Sequence, residues 1–157
     1  MPGRLYEISR SLKGGKKMTD ILARESAHKD FDAETYVKIL IAVAKADKDN
    51  GPREFDYVKK QAQRLGIDTE MLWIEIDKRF SFSQLKISRA TALAVIRDCI
   101  ILASLDGNFT LAEKERTYAY AAEMNIPRSE AEFLEQWVAD YHDLKKRWAK
   151  LLEGYLI

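Results

Sequence analysis

A chain of 157 residues with 46% apolar and 32% charged side chains is long enough to bury one core. Its 26 basic and 25 acidic side chains leave a formal net charge of +1, which excludes a global attraction to nucleic acid or to an anionic membrane. One cysteine, Cys99, excludes an intrachain disulfide, and no apolar run reaches the ~18 residues of a membrane span.

The opening stretch "MPGRLYEISRSLKGGKKMTD" has no uninterrupted apolar segment, so it reads as no signal peptide and the chain as cytoplasmic and soluble. Residues 4 to 12 suit a short helix, "KGGKK" breaks it, and "MTDILARESAHK" resumes helical character to about Lys29. Residues 1–30 are therefore read as an N-terminal helical extension, with Met18 as a second candidate start. "KGGKKMT" lacks the Walker spacing, because Gly14 and Gly15 are adjacent and Lys17 precedes Met18. Residues 31–157 form the main domain.

Asp32 is an N-cap for a helix whose apolar stripe is Tyr36, Val37, Leu40, Ile41 and Ala44. After a turn at 47–51, Pro52 takes the first helical position. Phe55, Val58, Ala62 and Leu65 mark one face of the next helix, and Gly66 ends it as a left-handed cap. Asp68 or Thr69 caps a short helix carrying Leu72, Trp73 and Ile76.

Ser88 caps the most apolar segment, "ATALAVIRDCIILASL", read as a central helix buried on most sides, with Cys99 an inert core thiol. Thr110 and Glu113 form a capping box, and Asn125 closes that helix as Gly66 closed the earlier one. Ser129 and Glu132 form a second box opening a long helix. Phe133, Trp137, Tyr141, Leu144, Trp148 and Leu151 share one face of it. No period-2 alternation appears, so the fold class is all-α, a compact bundle of about seven helices.

Residues 39–68 slide over 98–127 at an offset of 59 without a gap. Ile41/Ile100, Ala44/Ala103, Asp47/Asp106, Glu54/Glu113, Ala62/Ala121 and Ile67/Ile126 are identical. Each unit is an apolar helix, a polar turn, a capped helix, a left-handed cap and an isoleucine. Two helix hairpins related by a pseudo-twofold is the economical reading.

The repeated turn holds Asp47 with Glu54 and Asp106 with Glu113, with Asp49 and Asn108 beside them. It is not an EF-hand: position 12 of the loop falls on Val58 or Thr117, and neither copy has the position-6 glycine. Glu54 and Glu113 at N3 are accounted for by capping and by the helix dipole. Asp47 and Asp106 follow a helix C-terminus, where the dipole disfavours negative charge. Two readings stand: they bond the amides of the following turn, or the two turns converge on one divalent cation (Ca, Mg or Mn).

"LIAVAKADKDNGPREFDYVKKQAQRLGI" and "ILASLDGNFTLAEKERTYAYAAEMNI" resemble the TerB-like family of tellurite-resistance proteins. The resemblance covers roughly residues 30 to 140. It implies about seven helices with a pseudo-twofold, a fold also found in the N-terminal region of the co-chaperone DjlA. It further implies a cytoplasmic, non-catalytic stress-response protein whose acidic residues bind a divalent metal. Carried over, the metal residues are Asp47, Glu54, Asp106 and Glu113, with Asp49 and Asn108 as neighbours. Lys48 departs from the pattern, which favours glycine there.

Two histidines, His28 and His142, without a helical-spaced companion supply no imidazole metal site, and no nucleophile arrangement is visible, so the chain is read as no enzyme. The alternative to metal binding is an adaptor that uses the C-terminal amphipathic helix, with Trp137, Tyr141 and Trp148 as contact residues. Its partner would be another protein or a second copy, with no nucleic acid and no direct membrane insertion.

Overall fold

The computed structural model describes residues 25–46, 51–76, 81–82, 85–105 and 109–154. Among them are six α-helices, one 3-10 turn and no strand. The turn spans Glu25–Ala27. The helices are α1 (Ala33–Ala46), α2 (Pro52–Arg64), α3 (Thr69–Glu75), α4 (Arg89–Ala103), α5 (Leu111–Glu123) and α6 (Arg128–Leu152). The candidate helix at 4 to 12 and the acidic-turn residues Asp47, Asp49, Asp106 and Asn108 lie outside the described residues.

α1 and α4 form the centre. Each touches the other, α1 carries α2 and α3, and α4 carries α5 and α6. The α1 stripe is fully buried, as its spacing requires: Tyr36, Val37, Ile39, Leu40, Ile41 and Ala44 have no exposure. α4 is buried over most of its surface, from Thr91 through Leu102. Burial on several sides follows from its lack of a polar face, and it removes most of the helix from water.

Most of the expected caps form. Asp32 accepts from Thr35 N at 3.2 Å, Asp68 from Glu70 N at 3.0 Å and Ser88 from Thr91 N at 3.2 Å. Pro52 opens α2 and Gly51 is its N-cap. Gly66 has φ 74° and Asn125 has φ 61°, both left-handed. In both places the next isoleucine amide turns back onto the helix, Ile67 N to Ala62 O at 2.9 Å and Ile126 N to Ala121 O at 2.8 Å. α2 and α5 have spans that differ by 59 at each end, the same offset as the sequence match.

The cap of α6 differs from its reading. The helix starts at Arg128 behind Pro127, with no side-chain cap. Proline fixes the extended backbone two residues earlier than Ser129 would, so Ser129 lies inside the first turn. Glu132 pairs with Arg128 at 3.1 Å instead of closing a box.

Candidate functional site

The acidic turns meet their first test in Glu54 and Glu113. Glu54 Oε2 accepts from its own N-cap amide, Gly51 N, at 2.8 Å. Glu113 donates its amide to Thr110 Oγ1 at 3.2 Å, and its Oε1 accepts the Thr110 hydroxyl at 2.9 Å. Both carboxylates are thus engaged in starting their own helices, where the dipole also favours them.

The starts of α1 and α4 lie side by side, with Asp32 N donating to Thr91 Oγ1 at 2.9 Å. At the other end Arg53, in the first turn of α2, donates from Nη2 to Leu105 O at 2.8 Å. The beginning of α2 and the end of α4 therefore adjoin. A guanidinium sits on a carbonyl just past α4, where positive charge is favourable. Among the described residues, no group of three or more His, Cys, Asp or Glu side chains gathers as for a metal.

A second arrangement lies in the core, and sequence patterning missed it. Asp98, fully buried in α4, accepts from the Tyr57 hydroxyl at 2.6 Å and from Arg97 Nε at 3.1 Å through Oδ1. Its Oδ2 accepts from Arg97 Nη2 at 2.9 Å and from the Tyr36 hydroxyl. Arg97 continues outward, donating to Glu25 from Nη1 at 2.8 Å and from Nη2 at 3.1 Å. Arg64 closes the chain, donating from Nη2 to Glu25 Oε1 at 2.8 Å and to Gln61 Oε1 at 2.8 Å.

Two carboxylates and two guanidiniums alternate in this chain, so its net charge is zero. Burial and then the Asp98 charge push both tyrosine hydroxyls far above their usual range. Burial alone would raise Glu25, but the Arg97 hydrogen bonds and charge, with Arg64, hold it below the ordinary carboxylate range. Burial would lower Arg97, yet Asp98 and Glu25 hold it above the usual guanidinium range. Burial, followed by Asp98, pushes the Cys99 thiol up, which keeps it unreactive. With its two carboxylates and two guanidiniums paired, the arrangement fastens the 3-10 turn, α1, α2 and α4 together. The signal that could have found it is the Arg97-Asp98 pair itself, two opposite charges inside an apolar helix.

A cleft of about 540 Å³ adjoins it, between the 3-10 turn, α4 and α6, with Leu93, Leu134 and Trp137 on its walls. Its arginines are committed: Arg97 to Glu25 and Asp98, and Arg89 to Glu130 at 2.7 Å.

The third arrangement is α6. Ala131 and Val138 bury its inner face, and Leu134 and Trp137 pack against the core from its edge. The ring of Trp137 stacks on Tyr141, with centroids 5.7 Å apart and planes within 5°. From Asp143 to Leu152 every residue is exposed. Trp148 is 61% exposed and Leu152 68%, with Leu144 and Leu151 also open to solvent. A shared apolar face would suit a core-packing helix as well as a docking one. The helix is instead longer than the bundle it packs on, so only its first half finds neighbours. Of the three contact residues expected, Trp137 and Tyr141 are half-buried and Trp148 stands free of the core.

No family model matches the chain, no curated protein matches it, and no solved structure matches it.

Proposed function

We propose that this chain is a non-catalytic, TerB-like helical module that works by docking a protein partner on the outer half of α6. One observation carries the reading: Leu144, Trp148, Leu151 and Leu152 expose a run of large apolar side chains on an ordered helix beyond the bundle. An exposed apolar band of this kind marks an interaction surface more often than it serves the fold that bears it. The matched spans of α2 and α5, with their matched left-handed caps, support two hairpins related by a pseudo-twofold, as the TerB-like resemblance expects. A cytoplasmic role in stress response follows from the same resemblance.

The test compares the wild-type chain with a Leu144→Asp/Trp148→Asp variant in cells that make it at native level. Chemical cross-linking in those cells is expected to give a defined complex with wild type and none with the variant, at unchanged helicity. A variant that keeps the complex sinks the proposal.

Cation binding is the second reading, and the Arg53–Leu105 bond favours it, since it joins the start of α2 to the end of α4, the helix ends that flank the two acidic turns in sequence. The same bond also places a fixed positive charge there, which is why we rank it second. Calorimetric titration with Ca²⁺, Mg²⁺ and Mn²⁺ decides. No heat with wild type, or the same heat with Asp47→Asn/Asp106→Asn, removes it.

A further inference from the structure

We infer that the partner on α6 is a second copy of the same chain, bound antiparallel about a twofold axis near residues 142 and 143. The inference rests on the docking reading above and adds the identity of the occupant. Its first support is the spacing of the apolar band. Phe133, Trp137, Tyr141, Leu144, Trp148 and Leu152 follow one another at intervals of 4, 4, 3, 4 and 4. The series is the same in both directions. An isologous antiparallel contact needs such a palindrome, because each residue must meet its mirror position on the other copy. Mirroring about 142.5 sets Leu152 against Phe133, Trp148 against Trp137 and Leu144 against Tyr141.

Phe133 gives the second support. It lies in the half of α6 that packs on the bundle, yet it is 70% exposed and has no place in its own core. The mirror relation gives it one, under Leu152 of the other copy. The protruding half of each α6 would then cover the apolar band on the attached half of the other.

Charge gives the third. Residues 128–143 hold Glu130, Glu132, Glu135, Asp140 and Asp143 against Arg128, a net of −4 (1 − 5). Residues 144–154 hold Lys145, Lys146, Arg147 and Lys150 against Glu153, a net of +3 (4 − 1). The sign changes at the mirror point. An antiparallel copy sets the acidic half against the basic half, whereas a parallel copy opposes like charges. Asp140 and Arg147, seven positions apart and so on one flank of the helix, lie two positions off mirror register, which sets Lys145 level with Asp140, and so remain within reach of each other at two symmetric places across the axis.

Sedimentation of the full chain tests the occupant. A species of twice the chain mass is expected. Asp140→Arg alone should weaken it by about tenfold or more, and adding Arg147→Asp should restore it, because the swap re-forms both pairs. Spin labels on cysteines placed at Asp143 or Glu153, in a Cys99→Ala background, read the direction. Antiparallel pairing puts the labels at 143 near each other and those at 153 about 30 Å apart along the axis. Short distances at both positions overturn the antiparallel arrangement. A chain that stays monomeric overturns the second copy. If the Leu144- and Trp148-dependent complex still forms in cells, α6 then serves a different protein. If that complex is also absent, the docking reading falls with it.

Discussion

Glu25 and Arg97 stand 72 positions apart in the chain and meet in a two-point ion pair, at 2.8 and 3.1 Å. The pair ties the turn just before α1 to the centre of α4, and Arg64 brings α2 to the same carboxylate. Three parts of the bundle thus share one glutamate. A two-point guanidinium–carboxylate contact fixes orientation as well as distance, which a lysine could not do.

Asp98→Asn is expected to destabilise the protein by about 3 kcal/mol in chemical denaturation. The amide is isosteric, but its NH₂ faces donors, and Arg97 loses half of its compensation. Tyr57→Phe should cost less, about 1 kcal/mol, since one acceptor keeps its other bonds. A double-mutant cycle of the two should depart from additivity, because they share the carboxylate. A loss below about 1 kcal/mol for Asp98→Asn would show the chain of bonds to be dispensable.

Stability should fall in acid through Glu25. Its carboxyl is held below the ordinary range in the folded protein, so the unfolded chain binds the proton first as pH drops. The contribution is whole above the ordinary glutamate range and is lost as pH falls through the lowered folded value. Asp32, lowered by the Thr35 hydroxyl and amide bonds, adds in the same direction. The melting temperature should therefore fall less steeply towards acid in Glu25→Gln than in wild type. Equal slopes would contradict this assignment.

The two left-handed caps differ in residue and should differ in response. Gly66→Ala meets no atom within 4 Å, so its cost is backbone alone, about 1 kcal/mol. Asn125→Gly relieves the same backbone conformation and should be neutral or stabilising by a few tenths of a kcal/mol. Thermal melts of the two variants check the sign of each.

Trp148→Ala should leave the melting temperature within about 2 °C when wild type and variant are both melted at a concentration where the chain is monomeric, as expected for a side chain that is exposed in the single chain. Val138→Ala, on the buried face of the same helix, should cost about 2 kcal/mol. The contrast separates the half of α6 that holds the fold from the half that does not. An equal loss at both positions would mean that Trp148 belongs to the core.

Much of the helical outline was legible because its signals are local. Pro52, Gly66, Asp68, Ser88 and Asn125 each act on their own turn of chain, and the α1 stripe is a matter of period alone. Ser129 misled because Pro127, two positions earlier, governs where α6 begins. The core ion chain was not legible, since Asp98 finds Tyr57 41 positions away and Tyr36 62 positions away. Periodicity reports which face is buried and not what a buried charge meets there. The exposure of Leu144 and Trp148 was equally hidden. Their spacing is that of a core face, and only the length of α6 relative to the bundle leaves them uncovered.

The docking surface itself is tested most directly by a photo-reactive amino acid placed in the full chain at Trp148 and, as a control, at Lys60, an exposed position on α2. The account predicts one discrete cross-linked species from position 148 and none from position 60. No adduct at 148, or the same adducts from both positions, would contradict it.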